Sequence, residues 1–500
     1  MGIIQKQSIN SSIIIMIGFA IGGVNIVLIL PKVMTAEQIG LTRIITEAGI
    51  TLATMCSLGS FPVINKFFPF YKSYLKPEKN DLPFITLVLC IIGFLIMSSV
   101  GLSLNDLIVR KFSGKSPLFV QYKYLVYPFA FSMLIFLWLE NFSWSFKKGV
   151  VSNTLKEIAV RLVFTLLLIM LAFHVINVNQ LLNAFLLSYI IPAVILFFIL
   201  RRTKEFIFNA TVSSVTLRLK GRMINFGLFV FGAQFLNLLS RTVDTFILSA
   251  KSSRGLSDAA VFTIATYVVT LMDVPQRSIN AITVPVLAES WKNKDMNNIR
   301  HVYSKSVSNL LVIGLIMFSI FWLNVHNLGS YLGKDFSGIE KIVLLMGMGK
   351  LIDLGTGANS QIIGTSNFWK MDFTTNVIYT ILALPLNYVL ISKFGLMGAA
   401  YSSLISLTLY NVMRFGFLWY KFKMQPYSLK HLLVITIAIV STAITYYLPK
   451  NASPVFDTIF RTGTFLAIFV PVIYFTNISE EINGMIVSSL NRVKTVFRKK

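Results

Sequence analysis

Four pairs of oppositely charged residues stand three or four positions apart inside otherwise apolar stretches: Arg43 with Glu47, Arg241 with Asp244, Asp273 with Arg277, and Lys350 with Asp353. On a helix, residues at that spacing share a face, so each pair can form a local ion pair. A second chemistry is open to the same residues. Ionisable groups within a membrane span are costly to leave against lipid, so they face partners or a wet cavity. Four such faces lining one cavity would offer Arg43, Arg241, Arg277 and Lys350 to an anionic head group. Glu47, Asp244, Asp273 and Asp353 would then balance those cations or couple transport to an ion. Arginine suits pyrophosphate because its planar fork donates two parallel hydrogen bonds, whereas lysine acts as a compact point charge. The spacing alone leaves both readings open.

The remaining polar groups add less. Arg161 and Arg414 fall toward the ends of apolar runs, where snorkelling to the interface is expected, although Glu157 stands four residues before Arg161. Asn141, Gln234, Asn237, Asn359, Gln361 and Asn387 lie in or beside apolar runs and could hydrogen-bond sugar hydroxyls. Trp144 reads as an interface anchor. No cofactor, metal site or catalytic residue is expected. His174, His301, His326 and His431 are dispersed, Cys56 and Cys90 sit in apolar runs, and no Gly-rich lysine loop for a nucleotide occurs. Driving energy must then come from the substrate, an ion gradient or a partner.

These residues are positioned by apolar helices. The 500-residue chain is 55% hydrophobic and 13% charged, and a span needs about 20 consecutive apolar residues. Runs of that length predict an all-α, polytopic membrane protein of about fourteen helices. They lie near 8–30, 39–60, 82–104, 118–140, 153–174, 180–200, 222–249, 258–287, 305–326, 339–363, 371–391, 395–420, 430–448 and 456–476. The first lacks a cleavage site after it and is expected to be retained. The net charge of +25 sits in short clusters at 72–79, 201–204, 218–222 and 492–500. Loops on the side of the termini hold roughly 26 Lys and Arg against about 10 opposite, which places both termini in the cytoplasm. The charge therefore reports topology and not a nucleic-acid partner. The basic stretch 201–222 separates two sets of six helices, which predicts a six-helix lobe at 1–204, a second at 205–425, and an added helix pair with a basic tail at 426–500. In the first helix Gly18, Gly22, Gly23, Asn25 and Pro31 permit close packing or a functional bend.

Three passages carry a resemblance. They are the 31–40 segment Pro-Lys-Val-Met-Thr-Ala-Glu-Gln-Ile-Gly, Arg241-Thr242-Val243-Asp244, and the stretch from Asn387 through Phe394-Gly395-Leu396-Met397-Gly398-Ala399-Ala400. In that order and spacing the chain resembles the oligosaccharide flippases of O-antigen and capsule type, within the multidrug/oligosaccharidyl-lipid/polysaccharide exporter (MOP) superfamily. The resemblance implies two six-helix lobes in a V shape, an added helix pair, and a cationic central cavity worked by alternating access. It also implies a non-enzyme in the bacterial inner membrane that carries an undecaprenyl-pyrophosphate-linked oligosaccharide outward. Its partners would be membrane lipids, a polysaccharide polymerase and chain-length machinery. Two competitors share the architecture: an ion-coupled small-molecule exporter and a flippase for the peptidoglycan lipid precursor. A membrane glycan polymerase or ligase would need a large outer loop, which the chain does not supply.

Overall fold

A computed structural model of the chain describes residues 3–451, 453–476 and 483–484. The basic tail at 492–500 and the side chain of Asn237 lie outside the described residues. Among those residues every regular element is a helix. In order, the principal helices are α1 (Ile3–Gly23), α2 (Ala36–Cys56), α3 (Ser60–Tyr74), α4 (Leu82–Ser103), α5 (Val126–Ser145), α6 (Val160–Ala172), α7 (Leu187–Arg201) and α8 (Ser214–Lys251). There follow α9 (Leu256–Thr270), α10 (Asp273–Lys292), α11 (Met296–Leu332), α12 (Ile339–Gly355), α13 (Asn359–Thr365), α14 (Trp369–Phe394), α15 (Leu396–Phe422), α16 (Leu429–Tyr446) and α17 (Pro454–Thr476).

Eleven helices among the described residues are long and apolar enough to cross a bilayer, or twelve if α9 and α10, bent by 42° at their junction, form one span. The bend has a local cause. Pro275 has no N–H to donate to the Leu271 carbonyl, so the helix cannot run straight through. Two further expected spans take another form. The run at 153–174 carries Lys156, Glu157 and Arg161 and passes through a π-helical turn at Leu155–Ala159. The run at 339–363 ends α12 at Gly355 after 17 residues, turns at 356–358, and resumes as α13. The chain is a multi-pass membrane protein.

It divides into two compact units, residues 1–260 and 261–500. The division falls in the first turns of α9, beyond α8 and the basic stretch at which the sequence suggests a boundary. The start of α8 is tied down within the first unit by buried Asp81. Its Oδ2 accepts from Ser213 N at 2.7 Å and from Thr216 Oγ1 at 2.8 Å, while the Ser213 hydroxyl caps the helix by accepting from Thr216 N. The aromatic interior of this unit is built on Trp138, Phe142 and Phe206, and the Trp138 Nε1–H donates to Thr86 Oγ1 at 3.0 Å. Lipid tails are as apolar as such side chains, so within the bilayer close packing and polar contacts hold the helices together. Gly18 illustrates this: a methyl group there would run into the Glu157 carbonyl and the Arg161 side chain. One turn later the first helix passes into a π-helical segment, Val24–Ile29. Its Asn25 donates to the Arg161 carbonyl at 3.1 Å and accepts from Thr165 Oγ1 at 2.9 Å. In the second unit Leu311, Leu315, Phe465 and Phe469 form one apolar cluster, while Leu287, Tyr303, Ile362 and Leu418 form another.

Candidate functional site

The densest polar constellation lies within the second unit. Lys350 projects from α12, and its Nζ is 2.5 Å from Asp273 Oδ1 at the start of α10 and 2.6 Å from Asp353 Oδ2 one turn along its own helix. It also donates to Gln276 Oε1 at 2.9 Å, and Gln276 Nε2 donates in turn to Asp353 Oδ2 at 3.2 Å. The other Asp353 oxygen accepts from Asn411 Nδ2 of α15 at 3.1 Å. Asn411 Oδ1 then accepts from Thr356 at 2.8 Å and from Asn359 at 3.0 Å. Thus one lysine and one asparagine knit α10, α12, α13 and α15 at a depth where apolar contact alone would leave them free to slide. Lys350, Gln276, Asp353 and Asn411 are all hydrogen-bonded within this set, while the buried Asp273 Oδ1 is answered by the charge of Lys350 and by no aligned hydrogen bond. Paired in this way, a buried polar network holds helices rather than loosening them.

A second centre stands on α14 and α15. Arg414 is buried, contrary to the snorkelling expected of it, because a carboxylate from the neighbouring helix reaches it: Nη2 donates to Asp372 Oδ1 at 2.5 Å and Nε to Thr375 Oγ1 at 3.3 Å. Its guanidinium carbon lies 3.8 Å from the centre of the Tyr410 ring, a cation–π contact. Asp372 accepts also from Ser360 Oγ at 3.0 Å, linking this centre to α13.

In the first unit Arg43 pairs with Glu47, as their spacing predicts. Arg161 pairs with Glu157 at 2.5 Å, so it is bonded along its own helix rather than left to snorkel. Glu140, almost wholly buried on α5, takes Lys156 Nζ at 3.0 and 3.1 Å, a pair between helices that spacing could not show. Arg241 and Asp244 do not pair. Arg241 is exposed and has no partner among the described residues, whereas Asp244 Oδ1 is buried without a hydrogen bond and lies within electrostatic reach of Glu47.

The eight charges singled out from the sequence therefore fall into different situations. Lys350, Asp353 and Asp273 come together in one network, and Glu47 with Arg43 forms a closed pair. Arg277 is 59% exposed and touches Asp273 only at 3.9 Å. Arg277 and Arg241 are thus the two whose charge is left open, one in each unit. Residues that spacing did not mark are Gln276, Asn411, Asp372 and Tyr410. A wider search for polar side chains in apolar runs reaches the first three. Asn359, marked as a sugar ligand, is spent on Asn411 instead, and Asn141 accepts from Asn65 Nδ2 at 2.7 Å. Trp144 is 44% exposed, as an interface anchor would be.

No protein-family model and no curated protein sequence matches the chain. Solved structures do. A lipid II flippase MurJ in an inward closed conformation superposes with a TM-score of 0.70 at 13% identity, over 95% of this chain and 99% of that one. A multidrug resistance MATE transporter of the MOP superfamily, inward-facing, gives 0.60 at 16% identity, over 83% and 94%. A MOP superfamily transporter from Pyrococcus furiosus, described as having a binding pocket of reversed polarity, gives 0.55 at 14% identity, over 84% and 95%. Over 95% of its length, the chain has the fold of the MOP-type transporters.

Proposed function

We propose that the chain is a flippase that moves an undecaprenyl-pyrophosphate-linked oligosaccharide from the cytoplasmic to the outer leaflet of the bacterial inner membrane, for surface polysaccharide biosynthesis, by alternating access. The observation that carries this reading is the extent of likeness to a lipid flippase. It runs over 95% of the chain at a TM-score of 0.70, whereas the drug-transporter likeness stops at 83% and 0.60. The open charges support an anionic cargo. Arg277 and Arg241 are exposed and carry weak or no compensation, so their guanidinium forks are available to a pyrophosphate. Lys350, answered by two carboxylates, is assigned to holding α10 against α12, and Arg43 is closed by Glu47 along its own helix.

The test uses a strain lacking the gene and producing surface glycan only from a plasmid copy. Arg241→Gln and Arg277→Gln should each lower surface glycan while leaving protein level and melting temperature unchanged. Normal glycan from the inserted double variant would refute the assignment. The MATE likeness favours a second reading, an ion-coupled exporter. That reading requires expression to raise drug resistance and Asp273→Asn to abolish the effect. Lysis on depletion, with surface glycan retained, would instead point to the peptidoglycan lipid precursor.

A further inference from the structure

Outside the polar networks, the first unit contains a groove of about 510 Å³ between the end of α3 and the start of α8. The two helices run antiparallel along it, fixed by Tyr71, whose hydroxyl lies 2.6 Å from Thr216 Oγ1 and 3.5 Å from Met223 Sδ. Each helix contributes a stripe at four-residue spacing, which is one face of a helix. From α3 come Phe70 and Tyr74, and from α8 come Arg218 and Arg222. One turn further along both helices, Lys66 Nζ sits 3.7 Å from the centre of the Phe226 ring, so that cation is already engaged. Phe70 and Tyr74 are 42% and 70% exposed. Arg218 and Arg222 are exposed and, among the described residues, have no ion pair or hydrogen-bond partner. The nearby carboxylates do not answer them. Asp81 is buried and committed to Ser213 and Thr216, and Glu205 is bound to Lys72 at 2.7 Å.

We propose that this groove binds the head group of an acidic phospholipid, with its phosphodiester on Arg218 and Arg222 and an acyl chain running along α8. Three observations point to a lipid rather than a soluble anion. The 38 residues of α8 span about 57 Å, well beyond a hydrocarbon core of about 30 Å, so its first turns stand in the head-group region. Phe229, 72% exposed, lies on the face of Arg218 about 16 Å further along the helix, where an acyl chain would lie. The loop-charge asymmetry assigns this end to the cytoplasm, where basic pockets between spans meet anionic lipid. The two arginines supply paired donors to phosphate oxygens, and the aromatic side chains of α3 cover the glycerol region. The inference is independent of the cargo, because it concerns a bulk lipid and a groove contained in one unit.

The test titrates the purified full chain with a fluorescent short-chain phosphatidylglycerol, read by anisotropy. Unlabelled phosphatidylglycerol, phosphatidylcholine, farnesyl pyrophosphate and inorganic pyrophosphate serve as competitors. Phosphatidylglycerol should displace the probe, and phosphatidylcholine should not. Arg218→Gln with Arg222→Gln should weaken binding by about tenfold or more, since each removes a charge-assisted hydrogen bond. Arg218→Lys with Arg222→Lys keeps the charge without the fork and should fall between; it also serves if the glutamine variant is poorly folded. Arg110→Gln with Lys111→Gln, an equal loss of charge on another exposed helix, should bind as the parent does. Unchanged binding in both the glutamine and lysine double variants overturns the proposal. So does displacement by inorganic pyrophosphate equal to that by phosphatidylglycerol, which would mark a site for free phosphate. Tighter binding of farnesyl pyrophosphate than of phosphatidylglycerol would also overturn it, in favour of a prenyl diphosphate site.

Discussion

Lys350→Met removes one ammonium group and leaves two carboxylates without their shared partner. The side chains of Lys350 and Asp353 are each only 14% exposed and that of Asp273 is 25%, so water can replace little of what is lost. Breaking a buried ion pair by deleting one member costs about 3–5 kcal/mol. For a cooperative unit of this size each kcal/mol lowers the melting temperature by about 2–4 °C, so the expected drop is about 6–20 °C. Intrinsic fluorescence in detergent is a suitable readout, because Trp291, Trp322, Trp369 and Trp419 all lie in the second unit, against two tryptophans in the first. The decisive comparison is Lys350→Met with Asp353→Asn. The amide can still bond Gln276 and Asn411, and Asp273 keeps partial contact with Arg277 at 3.9 Å and some access to water. The double variant should therefore recover at least about half of the lost stability, a coupling of 1 kcal/mol or more. A single variant melting within about 1 °C of the parent, or strictly additive losses, would refute the assignment of Lys350 to holding α10 against α12.

Three further outcomes are expected. Arg414→Lys should cost about 1–2 kcal/mol in the same melt, because an ammonium cannot bond Asp372 and Thr375 while stacking on Tyr410, and Arg414→Ala should cost about 3–5 kcal/mol. Equal, negligible effects would restore the snorkelling reading. Gly40→Leu should abolish folded protein in fluorescence-detected chromatography, since any side chain there meets the Leu256 backbone, whereas Gly232→Ala, with open space around it, should fold normally. Cys56 and Cys90 are both buried and free, so neither should react with maleimide in intact membranes, and both should react once the protein is heated through its transition, as read by intact mass.

What the sequence made legible was whatever is local along one helix. Arg43 with Glu47 and Lys350 with Asp353 are readable because one helical turn brings the partners together whatever the rest of the chain does. Arg414 with Asp372 and Glu140 with Lys156 are not, because each depends on which helix packs beside which. The same limit explains Asn359, whose amide donates to Asn411 on a helix that its position in the sequence does not reveal. Arg241 with Asp244 shows the converse error: the spacing permits a pair, but the two side chains leave the helix toward different surroundings. Apolar runs located the spans well except at 153–174, where charges and a π-helical turn interrupt the run, and at 258–287 and 339–363, where hydropathy is continuous and the backbone is not. Pro275 could have announced the first break. The π-helical turns at Val24–Ile29 and Leu155–Ala159 carry no comparable signal, because they follow from how α1 docks on its neighbours.

The network around Lys350 also sets a timetable for synthesis. Gln276 and Lys350 are 74 residues apart, so at about 5–20 residues per second the α10 segment emerges from the ribosome about 4–15 s before the helix that satisfies it. Throughout that interval Asp273 lacks its cross-helix counterpart, Lys350, and a lone charge at the centre of a span costs about 2.5–3.5 kcal/mol on insertion scales. The bent α9–α10 segment must therefore wait at the insertion machinery, or at the aqueous edge of the unfinished bundle, until α12 arrives. Degradation of newly made chains should accordingly be most sensitive to truncations that end between these two helices.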